Sequence, residues 1–126
     1  MQCRWIREFR WMRTGAWVAV MLSLCGCDDD RYDHTPPEGL GAVIVENNTR
    51  DRLRVYIDGT EVDRVKDWKH RTYDCEPGVR RVTLDGDSAG VSWAGDIDVL
   101  EGRLTVLEVY PPYGNSRILD IRYFFD

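Results

Sequence analysis

Apolar and polar residues alternate in short runs from Gly41 to the end of the chain. In the clearest run, Leu53, Val55 and Ile57 alternate with polar or amphipathic neighbours, a period of two that predicts a strand with one buried face. Turn-forming residues separate the runs, and no segment shows a helical period. The predicted strands span residues 42–45, 53–57, 61–65, 71–75, 79–84, 91–99, 104–110 and 118–125.

This pattern predicts the fold class. Short strands at roughly 8–12-residue spacing are typical of an all-β domain, and polar alternate positions indicate sheets that face water on one side. Asp58-Gly59 is a strong signal for a two-residue hairpin. We therefore expect residues 42–126 to form a small antiparallel β-sandwich of seven or eight strands.

The beginning of the chain has a different pattern. Its first 14 residues carry four arginines and one acid, and Ala16–Leu24 has no charge. A basic lead followed by a short apolar core is typical of a secretory signal peptide. The apolar run is shorter than the roughly 20 residues that a transmembrane helix needs. Met1 and Met12 are both suitable starts for such a leader.

The end of the apolar run resembles the lipobox of bacterial lipoproteins. Leu24, Cys25 and Gly26 occupy its first three positions and Cys27 the position of the acylated cysteine. The resemblance implies that residues 1–26 are removed and that Cys27, now N-terminal, carries the acyl chains (palmitate among them) of a membrane anchor. Cys25 is the rival site, but Leu24 precedes it where the family has a small residue. The same run is also compatible with an ordinary signal peptide, a short buried helix or a helix lying on the membrane.

Residues 27–41 are predicted to be an acidic tether. Asp28-Asp29-Asp30 follows Cys27 directly, and Pro36-Pro37 lies further along. Repulsion between like charges and the prolines both favour an extended segment. In some lipoproteins, Asp directly after the acylated cysteine resembles an inner-membrane retention signal. The three aspartates are also compatible with a solvated acidic spacer alone. The expected location is therefore the cell envelope, on the periplasmic face of a membrane, with the inner membrane as one candidate.

A second resemblance concerns the predicted domain. Val55-Tyr56-Ile57-Asp58-Gly59 and, further on, Glu76-Pro77-Gly78-Val79-Arg80-Arg81-Val82-Thr83-Leu84 resemble two strands of PEGA-type domains. That family is a small β-sandwich found on bacterial surface proteins. The resemblance implies the fold and a place on the cell surface, and it transfers no catalytic residue.

Charge and cysteine usage exclude several functions. Without the leader, the chain has 13 basic and 21 acidic residues, a formal charge of −8. This balance argues against nucleic acid as a partner and against a polybasic membrane patch. If the leader is removed and Cys27 is acylated, Cys75 is the one cysteine left, so no intramolecular disulfide is expected.

Candidate chemistry is sparse in the mature chain. Cys75 and His70 have an odd spacing that places them on opposite strand faces. Asp96 and Asp98 share a face and could serve a hydrolase, although a solvated face is the favoured interpretation. Asp85 and Asp87 form a weak calcium candidate without the ligand set of an EF-hand. We predict no catalytic residue, no metal site and no cofactor.

Exposed aromatic residues complete the set of candidates. Trp68, Tyr110 and Tyr113 lie in or beside predicted loops, where they could contact a glycan or a partner protein.

The sequence therefore favours a membrane-anchored envelope lipoprotein whose β domain is a non-catalytic binding or structural module, with an envelope protein or glycan as partner. A periplasmic inhibitor or immunity-like protein is the second hypothesis, and a small secreted hydrolase is the third.

Overall fold

A computed structural model describes residues 32–88 and 90–126. The predicted leader, the lipobox and Cys27 lie outside the described residues. Within them, every regular element is a strand, and no helix is long and apolar enough to cross a membrane. The eight strands are β1 (Gly41–Asn47), β2 (Leu53–Ile57), β3 (Thr60–Val65), β4 (His70–Cys75), β5 (Gly78–Gly86), β6 (Ser92–Val99), β7 (Leu104–Tyr110) and β8 (Asp120–Phe125).

The strands form two four-stranded sheets. Sheet A has the order β4-β1-β7-β8 and sheet B the order β3-β2-β5-β6. The predicted all-β sandwich is confirmed, with eight strands. One strand pair departs from the antiparallel arrangement, because β1 and β7 run parallel with Ala42 opposite Leu104. Such a parallel pair needs a long connection, and here the whole of sheet B lies between its two strands.

Alternation along the strands builds the core between the sheets. Leu53, Val55 and Ile57 are buried while Arg54 and Tyr56 between them are partly exposed. Removing such side chains from water is the main stabilising term of a small domain. The buried residues of the main core cluster are Val43, Val45, Leu53, Val55, Ile57, Val65, Tyr73, Cys75, Val82, Leu84, Ile97, Val99, Leu107, Val109 and Leu119.

The predicted hairpin joins β2 to β3. Asp58 and Gly59 have φ angles of 51° and 82°, and two consecutive positive values are typical of the type I′ turn that fits the twist of a hairpin. The Asp58 carboxylate also accepts hydrogen bonds from the Arg81 backbone N–H and the Arg80 guanidinium, both at 3.1 Å. The turn is thereby attached to β5.

The segment before β1 packs on the outer face of sheet A. Tyr32 is buried with Ala42, Ile44 and two β7 residues in a second apolar cluster, and its hydroxyl donates to Glu46. His34 lies 2.7 Å from the Asp74 carboxylate. From Tyr32 onward, therefore, the predicted tether is not a freely solvated spacer, because an aromatic ring in it has an apolar strand surface to cover.

Cys75 is a buried residue of β4. It is 1% exposed and disulfide-bonded, and it is the only cysteine among the described residues. The expectation that Cys75 forms no intramolecular disulfide concerned the chain without its leader, and it stays a prediction for that form.

Asn47 connects the two sheets at one end of the sandwich. It is fully buried at the end of β1, and its amide nitrogen donates to the carbonyls of Asp51 at 2.7 Å and Val65 at 3.1 Å. Its amide oxygen accepts from the Thr49 N–H at 3.0 Å and the Thr49 hydroxyl at 2.6 Å. One side chain thus joins β1, the β1–β2 turn and the end of β3.

We expect Asn47→Ala to lower the free energy of unfolding by about 2–4 kcal/mol, because several buried backbone groups lose their partner. Chemical denaturation followed by circular dichroism measures the change. Asn48→Ala is the matched control and should cost less than about 1 kcal/mol, since Asn48 is only half-buried and is held through its backbone N–H. Equal losses in the two variants would contradict the role of the Asn47 amide.

Candidate functional site

Four loops meet at the Asn47 end of the sandwich and enclose a groove. These loops follow β1, β3, β5 and β7, and we call this end the loop end. The groove has a volume of about 610 Å³. Its lining is mainly apolar, with polar groups from the β1–β2 and β5–β6 loops. The lining residues are Thr49, Arg50, Asp51, Trp68, Ser88, Val91, Pro111, Pro112 and Leu119.

Trp68 forms one wall of the groove. Its side chain is 60% exposed, and its backbone has a φ of 59°, which is unfavourable for a bulky residue that is not glycine. It lies in a turn closed by a 3.2 Å hydrogen bond from the Lys69 N–H to the Lys66 carbonyl. Asn47 holds that turn, because its backbone N–H donates to Lys69 at 2.9 Å and its side-chain amide to Lys66 at 3.2 Å.

Another part of the groove lining is fixed by Asp51. Its carboxylate accepts a 2.8 Å hydrogen bond from the Ser88 hydroxyl and a 3.2 Å bond from the Ser88 N–H. These bonds fasten the β1–β2 turn to the β5–β6 loop. The walls of the groove are therefore held by side chains that are already bonded, while the ring of Trp68 remains accessible.

The structure separates the three aromatic candidates. Trp68 lines the groove, and Tyr113, 73% exposed, lies in the same loop as the two prolines. Tyr110 instead lies on the outer face of sheet A, where its hydroxyl donates to Glu108 at 3.1 Å and Arg122 lies 5.1 Å from the ring centre. The hydrogen bond to Glu108 raises the pKa of Tyr110. Trp68 and Tyr113 thus both lie in loops at the loop end, and Tyr110 is not part of the groove.

The carboxylates considered for hydrolysis lie away from this groove. Asp96 and Asp98 are exposed on β6, and the Asp96 carboxylate accepts a 3.3 Å hydrogen bond from the Arg81 guanidinium. Both side chains are open to water, whereas a carboxyl group that acts as an acid catalyst is usually held where water is excluded. Their placement is that of a solvated sheet face.

The thiol and imidazole considered as a catalytic pair are also apart. Cys75 points into the core, whereas His70 is exposed on β4 with its ring 5.5 Å from that of Tyr32. Odd spacing along one strand places the two on opposite faces. A cysteine sulfur in a disulfide, as at Cys75, is not a thiolate.

One of the two acids of the weak calcium candidate, Asp85 and Asp87, is engaged in an ion pair. Asp87 accepts a 2.7 Å hydrogen bond from the Arg54 guanidinium, and this bond raises the pKa of Arg54. Among the residues that the structure describes, no group of three or more His, Cys, Asp or Glu side chains is arranged to hold a metal ion.

Comparison with known proteins supports the fold. No family model matches the chain, and no curated protein sequence matches it. The structure of the C-terminal domain of AlgF from P. aeruginosa has a TM-score of 0.52 and 21% identity, covering 71% of this chain and 100% of that domain. The N-terminal domain of AlgF from P. aeruginosa gives 0.49 and 16%, covering 69% and 95%. At this identity the first likeness shows a shared fold alone.

Sequence reasoning missed most of the groove. The pattern of Asn47-Asn48-Thr49 predicts a turn, but it does not predict burial, and it assigns neither Asp51 nor the two prolines to a site. The signal that could have found them is the spacing of Asn47, Thr49 and Asp51. Short polar side chains at such positions commonly bond to backbone groups two residues away.

We expect Trp68→Gly to be more stable than Trp68→Ala by about 1 kcal/mol, because only glycine adopts a positive φ without steric cost. Both variants lose the indole, so the comparison isolates the backbone. Thermal and urea unfolding of the two proteins measure the difference. An alanine variant as stable as the glycine variant would show that Trp68 does not have this conformation.

Proposed function

We propose that the protein is a membrane-anchored envelope lipoprotein, acylated at Cys27, whose β-sandwich is a non-catalytic binding module. In this proposal the loop-end groove beside Trp68 is the contact surface for an envelope protein or glycan. The observation that carries the proposal is an exposed tryptophan held on an unfavourable backbone conformation at the lip of a groove. Such local strain persists where surrounding structure enforces it and is concentrated at functional sites.

The anchor is supported by the lipobox-like Leu24-Cys25-Gly26-Cys27 and the short apolar run before it. A cysteine thiol is the natural acceptor of a diacylglyceryl group, and two or three acyl chains give stable membrane attachment. Because Tyr32 is packed on sheet A, the spacer after Cys27 is short. Even fully extended, the chain from Cys27 to Tyr32 reaches about 17 Å. The sandwich would therefore lie close to the bilayer surface.

A binding role is supported by the chemistry of the groove. It offers an aromatic ring, two prolines and an aliphatic wall, with hydroxyl and carboxylate groups at its rim. Glycans stack on aromatic rings, and partner proteins bury them as anchors. Catalysis would need a base or nucleophile positioned by its neighbours, and the Asp51 and Ser88 side chains are bonded to each other.

We expect a palmitate analogue supplied to growing cells to label the wild-type protein and Cys25→Ala but not Cys27→Ala. The reason is that only the sulfur of Cys27 would form the thioether to the lipid. Gel fluorescence after coupling of the analogue measures the label. Processing should fail in Cys27→Ala, which would retain residues 1–26 and migrate as a larger species.

The state of Cys75 provides a control in the same experiment. A sulfur that carries lipid cannot form a disulfide, so in the processed protein Cys75 should be alkylated after denaturation without any reductant. Mass spectrometry of the Cys75 peptide measures this. Unlabelled Cys27, or labelling that persists in Cys27→Ala, would overturn the proposed anchor.

The binding role predicts a specific loss on mutation. With the full chain in its membrane, cross-linking should capture one dominant partner for the wild type. Trp68→Ala should reduce capture at least about tenfold, as expected when an aromatic anchor is removed. Val79→Ala is the matched control, since Val79 is 65% exposed but is the second residue of β5, at the other end of the sandwich. An equal loss in both variants, or none in either, would reject the groove as the contact surface.

A further inference from the structure

An edge of sheet A that no other described strand pairs with carries an exposed aromatic stretch. β8 is the last strand in the order β4-β1-β7-β8. Tyr123 is 56% exposed and Phe124 and Phe125 are each 39% exposed. Tyr123 and Phe125 share one face, with their rings edge to face at 6.4 Å. An edge with apolar residues and free backbone groups is a template for pairing with another strand.

The register with β7 shows which backbone groups face outward. Leu104 and Asp126 exchange two backbone hydrogen bonds, of 3.1 and 2.9 Å. Pairs that exchange bonds alternate along an antiparallel ladder, so the even-numbered residues of β8 face β7. The N–H and C=O groups of Ile121, Tyr123 and Phe125 therefore point away from the sheet, toward the open edge.

The other edges of the described sandwich differ from β8. Edge strands are normally protected by charges or bulges. β3 has a register shift opposite Val55 and Tyr56 and carries three charged residues, and β4 carries His70, Arg71 and Asp74. β6 carries Asp96 and Asp98 and β8 carries Asp120 and Arg122, so these two edges differ in their aromatic residues rather than in their number of charges. Of the four edge strands β3, β4, β6 and β8, only β8 has three aromatic residues in a row.

Charges at the ends of β8 oppose pairing with a second copy. Antiparallel pairing of two β8 strands joins all three outward residues of each copy only in the register that centres on Tyr123. That register places Asp120 of each copy opposite Asp126 of the other. Like charges directly opposite each other are destabilising. The same two acids would instead favour a strand with basic residues at both ends.

We propose that the β8 edge binds an extended segment of a partner protein, with apolar residues opposite Ile121, Tyr123 and Phe125 and a basic residue opposite each of Asp120 and Asp126. The segment joins sheet A as a fifth strand. Its main-chain hydrogen bonds supply affinity and its terminal charges supply specificity. This surface is separate from the loop-end groove and does not depend on acylation.

A defined peptide tests the inference. The probe is fluorescently labelled Lys-Val-Thr-Val-Glu-Val-Lys, whose glutamate would lie opposite Arg122 in the antiparallel register. The control is the charge-reversed peptide Glu-Val-Thr-Val-Lys-Val-Glu. With the full chain in detergent, fluorescence polarisation should give at least about tenfold tighter binding of the lysine peptide, and amide NMR shifts should concentrate on β8.

Two substitutions at one position separate main-chain pairing from burial of the ring. Tyr123→Pro removes the outward N–H and leaves the bonds to β7 intact, whereas Tyr123→Ala removes the ring and keeps that N–H. We expect the proline variant to bind at least about tenfold more weakly than the alanine variant. Circular dichroism verifies that both are folded.

Several results would overturn the inference. Equal binding of the lysine peptide by the two variants would reject main-chain pairing through the Tyr123 N–H. Equal binding of the two peptides would reject the preference for basic residues opposite Asp120 and Asp126. Amide NMR signals of β8 that do not shift at millimolar peptide would reject β8 as the binding site. Concentration-dependent dimers that Tyr123→Pro abolishes would identify a second copy as the occupant.

Discussion

The buried amide of Asn47 is the interaction on which the loop end depends. It is the point where the end of β1, the β1–β2 turn, the end of β3 and the Trp68 turn are held together. The apolar core holds two sheets face to face, but burial of apolar surface is not directional. Hydrogen bonds from one buried side chain are directional and fix the relative positions of the loops. The groove is thus a consequence of a polar interaction rather than of core packing.

Local features of the fold could be predicted because they depend on neighbouring residues. The alternation of apolar and polar residues around Val55 predicts which face of β2 is buried. The Asp58-Gly59 pair predicts where the chain reverses direction. The parallel pairing of β1 with β7 could not be predicted in this way. It depends on contacts between residues about 60 positions apart, and nothing in either strand's own pattern distinguishes a parallel from an antiparallel neighbour.

The candidate site was predictable only in part, for the same reason. Trp68 and Tyr113 are aromatic residues in turn-rich segments, and this feature identifies them as candidates from the sequence. Tyr110 has the same feature, yet its side chain lies on the outer face of sheet A and not in the groove. A strand-end residue points to either face depending on register, which the sequence does not specify. Burial of Asn47 and Tyr32 likewise depends on which distant surfaces need to be covered.

Stability and recognition are coupled at the loop end. The positive φ of Trp68 costs roughly 1–2 kcal/mol, and the hydrogen bonds from Asn47 to Lys66 and Lys69 oppose relaxation of that turn. A substitution at Asn47 would therefore weaken the fold and release the Trp68 wall at once. Loss of binding in such a variant would not identify a contact residue. Substitutions at Trp68 itself leave the Asn47 bonds in place. Loss of binding in a Trp68 variant would therefore identify the groove as the contact surface.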